Sequence, residues 1–534
     1  MTLNNIMYLI NSHLKRSAFK LFFLMIFFTA LRVSGQTMAS PDSALQEILS
    51  GIKGESLKLQ DAVQNALMNS TSVRIAEANY LAAQGAVRRE RGFFDPEFFF
   101  NFNYEDRETP SASFFAGASI LNTQQTTSQS GLRMSLPIGT KLELSLNTVR
   151  LKTNSDFAFL NPELNTFGNL SLRQPLLGGF TTTANKELNR FEKMLEAEKD
   201  RYDQQVIGAV SEAEKFYWGL YAAERDYAVQ KLTYIRAESF LKETELRAKT
   251  GLIGPNQVAS AKTFLAEQEL ILIELEEMLD AQSDKLASYI GVRPKEGFAR
   301  YIPVDEPPSD FPLEPLELLI ENTLNNNLDL KAAQKDVEAR TTLVNAADWE
   351  VLPSVDIVGS LGGSGLAGNS QDVIFGGDTL RSTVSGSLGD ALSQVFKRDF
   401  PNWSVGVEVS IPIGFRAGLG EKDRLEAEVL SSKQVYIELS RRLEDQVRTA
   451  HRELRHGNRR LKVAGEGVKA AQEQVRIGLI EFKSGRSTAF ELVRLGEDFA
   501  IAQRRYSEAL VRTAKAFAAL KQLTSGMYPD IKKN

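Results

Sequence analysis

Histidine is the residue that would most readily build a metal centre, and the chain has three: His13, His451 and His456. Only the last two lie close together, five positions apart on a helical pattern rich in arginine. No HExxH motif surrounds them, so the pair reads as a solvated helix face rather than a zinc site. The stretch GSGLAG (Gly363 to Gly368) satisfies the GxGxxG spacing of a dinucleotide loop. It lacks a following helix or βαβ unit and reads as loop glycine. No GK[ST] phosphate loop and no nucleophile–base pair is present. There is no cysteine among the 534 residues. That removes disulfides, thiolate metal sites, cysteine nucleophiles and a lipidated N-terminal cysteine together. The chain is expected not to be an enzyme, with no catalytic residue, metal site or cofactor. A net charge of −5 gives no electrostatic reason to expect nucleic acid.

A different chemistry is written in FDPEFFFNFNYED, from Phe94 to Asp106. Phe98, Phe100, Phe102 and Tyr104 point one way on a strand, with Phe99, Asn101, Asn103 and Glu105 opposite. A soluble sandwich hides such an apolar face in a core, whereas a transmembrane barrel turns it to lipid. Taken alone the stretch fits both. Related segments recur: GLRMSLPIGTKLELSLN, NLSLRQP, and WSVGVEVSIPIG, where Trp403, Val405, Val407, Val409 and Ile411 alternate with Ser404, Gly406, Glu408 and Ser410. Pro175 and Pro412 close the strand regions, and Pro96 and Pro353 open them; proline donates no ladder hydrogen bond.

The elements that position these strands are duplicated. LQDAVQNALMNS from Leu59 matches LELLIENTLNNN from Leu316 without a gap at an offset of 257 residues, and the match continues through Pro96 and Pro353. Each copy is a helix, strands, a very long helix of about 100 Å at 1.5 Å rise per residue, a glycine break, and a shorter helix. Residues 1–39 read as a signal peptide: Lys15, Arg16 and Lys20 precede the apolar run Leu21 to Leu31, with cleavage near 35 or 39. Residues 40–56 form an N-terminal extension. The first repeat spans 57–300, with helices 57–94, 184–250 and 256–291 and strands about 97–105, 130–138, 140–149 and 168–175. A linker (301–314) precedes the second repeat, 315–525, with helices 315–351, 420–484 and 488–523 and strands about 354–360 and 403–413. A tail covers 526–534. The polar stretches Glu105 to Gln129 and Ser360 to Asn402 are expected as external loops.

The duplicated helix–Pro–strand unit, the QPLLGGF turn, AEKFYWGLYAAERDY (Ala213 to Tyr227) and the two glycine tips resemble the TolC-like outer-membrane efflux channel family. The resemblance implies a mainly helical fold with membrane β-structure: long coiled-coil helices forming a trimeric periplasmic α-barrel beneath a shared transmembrane β-barrel. It implies a passive homotrimeric exit duct of a tripartite efflux or type I secretion system, in the cell outer membrane with its helices in the periplasm. An inner-membrane transporter would supply energy through a periplasmic adaptor (membrane fusion) protein. The alternative is a periplasmic coiled-coil adaptor or structural envelope protein without a pore.

Under the resemblance, Phe98, Phe100, Phe102, Tyr104, Val405, Val407 and Val409 face lipid. Pro96, Pro175, Pro353 and Pro412 mark the barrel-to-helix transition. The adaptor-contacting tips carry Gly251 and Leu252, and Gly485, Arg486 and Ser487. Candidate constriction residues are Gln257, Phe482, Glu491 and Arg494. Of these only Glu491 keeps the family's acidic character, and Arg494 reverses the usual sign. The hairpin around Pro137 to Thr140 also departs from the family's simplest four-strand protomer.

Overall fold

The computed structural model describes residues 43–251, 253–484 and 486–528. The expected signal peptide, most of the tail, Leu252 and Gly485 lie outside the described residues. The chain opens with α1 (Ser43–Gly51), the short strand β1 (Glu55–Leu57), α2 (Leu59–Asn69) and α3 (Thr71–Gly92). Four strands follow: β2 (Glu97–Pro110), β3 (Ile120–Ser135), β4 (Lys141–Thr153) and β5 (Leu160–Pro175). A single turn, α4 (Thr181–Ala184), leads into α5 (Lys186–Lys249), and α6 (Pro255–Ile290) returns. The second half continues with β6 (Tyr301–Pro303), α7 (Leu316–Asn326), α8 (Leu328–Glu350) and β7 (Ser354–Ser370). Next come the small hairpin β8 (Asp372–Phe375) and β9 (Asp378–Arg381), the helix α9 (Leu388–Lys397) and β10 (Phe400–Ser410). The long α10 (Arg416–Lys483) and α11 (Ala489–Leu523) complete the chain.

The expected helices 57–94 and 315–351 are each broken in two. The breaks fall at Ser70 and Asn327, 257 residues apart and so at one position of the repeat. Both residues leave helical geometry, with ψ of 123° and 124°, and both are buried. Asn327 accepts a hydrogen bond from the Leu330 N–H and donates to the Leu523 carbonyl at 3.0 Å. A capping side chain in mid-helix thus restarts the helix and ties it to the end of α11.

The helices α5 (64 residues) and α10 (68 residues) each run about 100 Å. Around α5 pack α3, α6, α8 and α11, while α10 lies against α7, α8 and α11. Interfaces with so many neighbours need small residues, and Ala62, Ala66, Ala209, Ala213, Ala228 and Ala518 are fully buried there. The main core gathers Tyr217, Trp218 and Leu220 of α5, Leu279, Leu286 and Ile290 of α6, Val447 and Leu454 of α10, and Phe517 and Leu520 of α11. The Tyr217 hydroxyl donates to the Leu57 carbonyl at 2.9 Å and accepts from the Val304 and Asp305 N–H groups. It anchors the parallel pair β1–β6 against α5. His451 belongs to this interior too: it is buried, 3.1 Å from the Glu314 carbonyl, where a solvated face had been expected.

Above the helices, six strands form one antiparallel sheet in the order β10-β7-β5-β4-β3-β2. In a single chain this sheet is open, with β2 and β10 as its edges. Much of what the sequence suggested as external loop is strand. β2 continues to Pro110, β3 begins at Ile120 and β7 runs to Ser370, so the GSGLAG glycines lie in a strand rather than a loop. The segment TQQTTSQSG is polar on both faces and carries no alternation, yet its backbone is paired on both sides. Ladder hydrogen bonds do not depend on side-chain polarity. β10 ends at Ser410, before Pro412.

Candidate functional site

Direct partners across the sheet define its two faces. Reading the register from one edge to the other, Phe98, Leu132, Leu144, Leu170, Leu361 and Trp403 form one continuous row. All six side chains are exposed. Phe100, Phe102 and Tyr104 extend this face along β2, and Val405, Val407 and Val409 extend it along β10; these too are exposed. Towards the far end the same face turns small or polar, at Thr126, Ser128, Thr148, Thr166, Gly168, Gly363 and Gly365. There α9 lies directly on the sheet with Ala391 and Val395 buried. A Cβ on Gly365 would stand 2.1 Å from the Ala391 carbonyl, so the glycine is what lets the helix backbone approach. Gln394 completes the seat by bonding both the N–H and the carbonyl of Leu366.

The opposite face is polar. The neighbouring row reads Glu97, Arg133, Glu143, Ser171, Ser360 and Ser404. Arg133 makes a two-pronged ion pair with Glu97, at 2.9 and 2.8 Å. Arg173 pairs with Asp356 at 2.6 Å and with Glu408 at 3.0 Å. Lys141 and Glu143 lie in the same open groove. Charges from β2, β3, β4, β5, β7 and β10 thus form a belt near the helical end of the sheet, mostly neutralised within the chain. The sequence flagged several of these residues only as the polar partners of an alternation. The pairing itself needed the register.

The four prolines lie where strands and helices meet: Pro96 and Pro353 directly before β2 and β7, Pro175 at the end of β5, and Pro412 just beyond β10. The β3–β4 turn docks at this junction. Asn185 donates to the Pro137 carbonyl at 2.6 Å and Gln174 to the Ile138 carbonyl at 3.3 Å.

At the far ends of the long helices, Gly251 takes a left-handed φ of 75° and closes α5, with its N–H on the Ala248 carbonyl at 3.0 Å. Open space surrounds its Cα. In the second tip the Arg486 N–H bonds the Glu481 carbonyl at 2.9 Å, and Thr488 caps α11 by accepting from the Glu491 N–H. Ser487 is half-buried and Gln257 exposed, while the Phe482 side chain is outside what is described. Glu491 and Arg494 are brought together, at 2.6 Å, but within one turn of α11. This is a local surface pair, and it supplies no lock between helices. Cross-helix contact comes instead from residues the sequence did not single out: Phe240 against Phe490, with ring centres 5.9 Å apart, and Arg236 on the Gly496 carbonyl at 3.2 Å. No group of histidines and carboxylates able to hold a metal occurs among the described residues. None of their helices is long and apolar enough to cross a membrane.

Residues 319–526, most of the second repeat, match the family model described as Outer membrane efflux protein. The match covers about two-fifths of the chain and leaves the first repeat outside it. Among proteins of known role, Nodulation protein T of Rhizobium leguminosarum bv. trifolii is 22% identical over 215 residues, 39% of this chain and 40% of that protein. Solved structures extend the likeness of fold over nearly the whole chain. The outer-membrane channel OprN aligns at a TM-score of 0.62 and 16% identity, covering 93% of this chain and 98% of the channel. The Campylobacter jejuni CmeC channel aligns at 0.60 and 13% identity, covering 93% and 90%. The open state of the Neisseria gonorrhoeae MtrE channel aligns at 0.59 and 15% identity, covering 93% and 96%.

Proposed function

We propose that this chain is an outer-membrane efflux protein of the TolC-like kind, not an enzyme, and the exit duct of a tripartite efflux or type I secretion system. Three chains close one transmembrane barrel above a periplasmic helical tube. The duct is passive; an inner-membrane transporter supplies the energy through an adaptor protein. The two-faced open sheet carries this reading. An exposed row of six large apolar side chains is not left to water in a soluble protein. In lipid, every strand backbone must be paired, so the unpaired edges β2 and β10 require further copies. The prolines at the strand–helix junctions support a transition between barrel and tube at that level. The tip segments around Gly251 and Arg486–Ser487 are assigned to the adaptor because they are the exposed turns farthest from the sheet along α5 and α10.

Single-particle imaging of the mature protein extracted from outer membranes tests the proposal. Threefold hollow particles with a tube on the order of 100 Å are expected from the helix lengths. Monomers or solid rods would sink the duct and leave the pore-free periplasmic coiled-coil reading.

A further inference from the structure

Resting on the threefold reading above, we infer that the β3–β4 hairpin is part of the barrel wall, so that three chains close an eighteen-stranded barrel. Six strands come from each copy. The simplest protomer of this architecture brings four, and its threefold barrel has twelve.

Three observations place the hairpin in the wall. Its pairing is continuous on both sides: β3 pairs with β2 from Glu97↔Arg133 to Pro110↔Ile120 and with β4 from Thr123↔Thr153 to Ser135↔Lys141. β4 in turn pairs with β5 from Lys141↔Arg173 to Leu151↔Glu163. A hairpin folded over the outside or inside of a barrel would leave β2 and β5 bonded to each other, and here they are not. The hairpin also obeys the same two-faced rule as its neighbours. Leu132 and Leu144 stand in the exposed apolar row between Phe98 and Leu170, while Arg133 and Glu143 stand in the charged row between Glu97 and Ser171. Finally, its turn is fastened to the junction by Asn185 and Gln174 at the level where β5 gives way to helix.

Adding a hairpin inserts strands in pairs, so the edges keep their sense. β2 runs away from the helices and β10 returns to them, so β10 of one chain meets β2 of the next antiparallel. Barrel diameter grows roughly in proportion to strand number, so eighteen strands give a lumen about 1.5 times as wide as twelve. The wall charges are already paired within each chain, and a lumen this wide does not press them across the pore. The barrel therefore acts as an open vestibule, and size selection falls to the helical tube and its tips.

Electron cryomicroscopy of the full mature protein decides the count. Expected is a threefold map with eighteen strands, and for the deletion of residues 111–159, which joins β2 directly to β5, a threefold map with twelve strands and a lumen about two-thirds as wide. A threefold wild-type map with twelve strands and the hairpin outside the wall would overturn this inference while leaving the exit duct standing. A closed particle of another symmetry would overturn the threefold reading on which the count rests. Should the deletion not assemble, the absence of native cysteine gives a second readout in intact membranes. Leu132→Cys and Leu144→Cys are expected to resist a water-soluble maleimide as Phe100→Cys does. Labelling of the first two but not the third would place the hairpin outside the wall and overturn the inference.

Discussion

At the scale of single residues, the helical part holds two carboxylates under strain of solvation. Burial pushes Glu224 up to about 7 against the opposing charge of Arg225, and pushes Asp226 up to about 6 despite Arg504. Their ordinary values are 4.5 and 3.8. A raised folded-state value means the fold prefers the protonated acid. For Glu224 the penalty is absent below about pH 4.5, grows as pH rises, and is complete above about pH 7. Its size is on the order of 3 kcal/mol. Glu224→Gln is therefore expected to raise the melting temperature at pH 8, with the gain shrinking towards pH 5; an equal gain at both values would refute the titration argument. Gly251 makes a second prediction at this scale. Its left-handed φ strains any branched side chain by about 1 kcal/mol, but the space around it is open. Gly251→Val is expected to leave assembly intact while export falls to background in a transport assay. Retained export would reduce the tip glycine to a helix cap. Gly251 was legible from its type and place, whereas the burial of Glu224 and Asp226 and the Arg173–Asp356–Glu408 cluster were not, the cluster because its members come from three strands whose register the sequence does not state.

At the scale of elements, legibility followed periodicity. The two faces of β2 could be read directly, since aromatic and polar residues alternate from Phe100 to Glu105. The upper half of β3 could not, because threonine, glutamine and serine occupy both faces and only the backbone knows it is a strand. Ser70 and Asn327 were hidden for the opposite reason: the apolar period continues on either side of them, and a cap inside a periodic run looks like one more polar position. The ten-residue α9 sits in a stretch rich in serine and glycine and gave no signal of its own; its capping box at Ser387 and Asp390 is visible once the helix is known. The close seat of this helix gives a prediction. Gly365→Val places side-chain atoms where the Ala391 carbonyl now lies, so α9 must lift. Limited proteolysis of intact cells or proteoliposomes is expected to cut between residues 371 and 399 several-fold faster in the variant. An unchanged rate would show that the helix is held by something other than this contact.

At the scale of the whole molecule, the proposed function makes the membrane a structural partner of the exposed apolar row. A charge at the bilayer midplane of a barrel costs about 2–4 kcal/mol, and in a threefold assembly each substitution is repeated three times. Phe100→Arg and Val407→Arg are each expected to abolish assembled particles in the outer membrane, measured as heat-stable oligomer on a gel, whereas Asn101→Arg on the opposite face is tolerated. Normal oligomer yields for the first two would reverse the assignment of the faces. The open edges also bear on how the protein comes into being. A free chain carries two unsatisfied strand edges beside bare phenyl and valyl side chains, the pattern most prone to mispairing. On the proposed threefold reading its native state is completed by its own kind, and joining three chains is steeply dependent on supply: halving the free chain lowers the assembled form roughly eightfold at equilibrium. Under the same reading the number of assembled particles in the cell should respond to synthesis as a threshold rather than in proportion, with chains below the threshold consigned to chaperones and proteases.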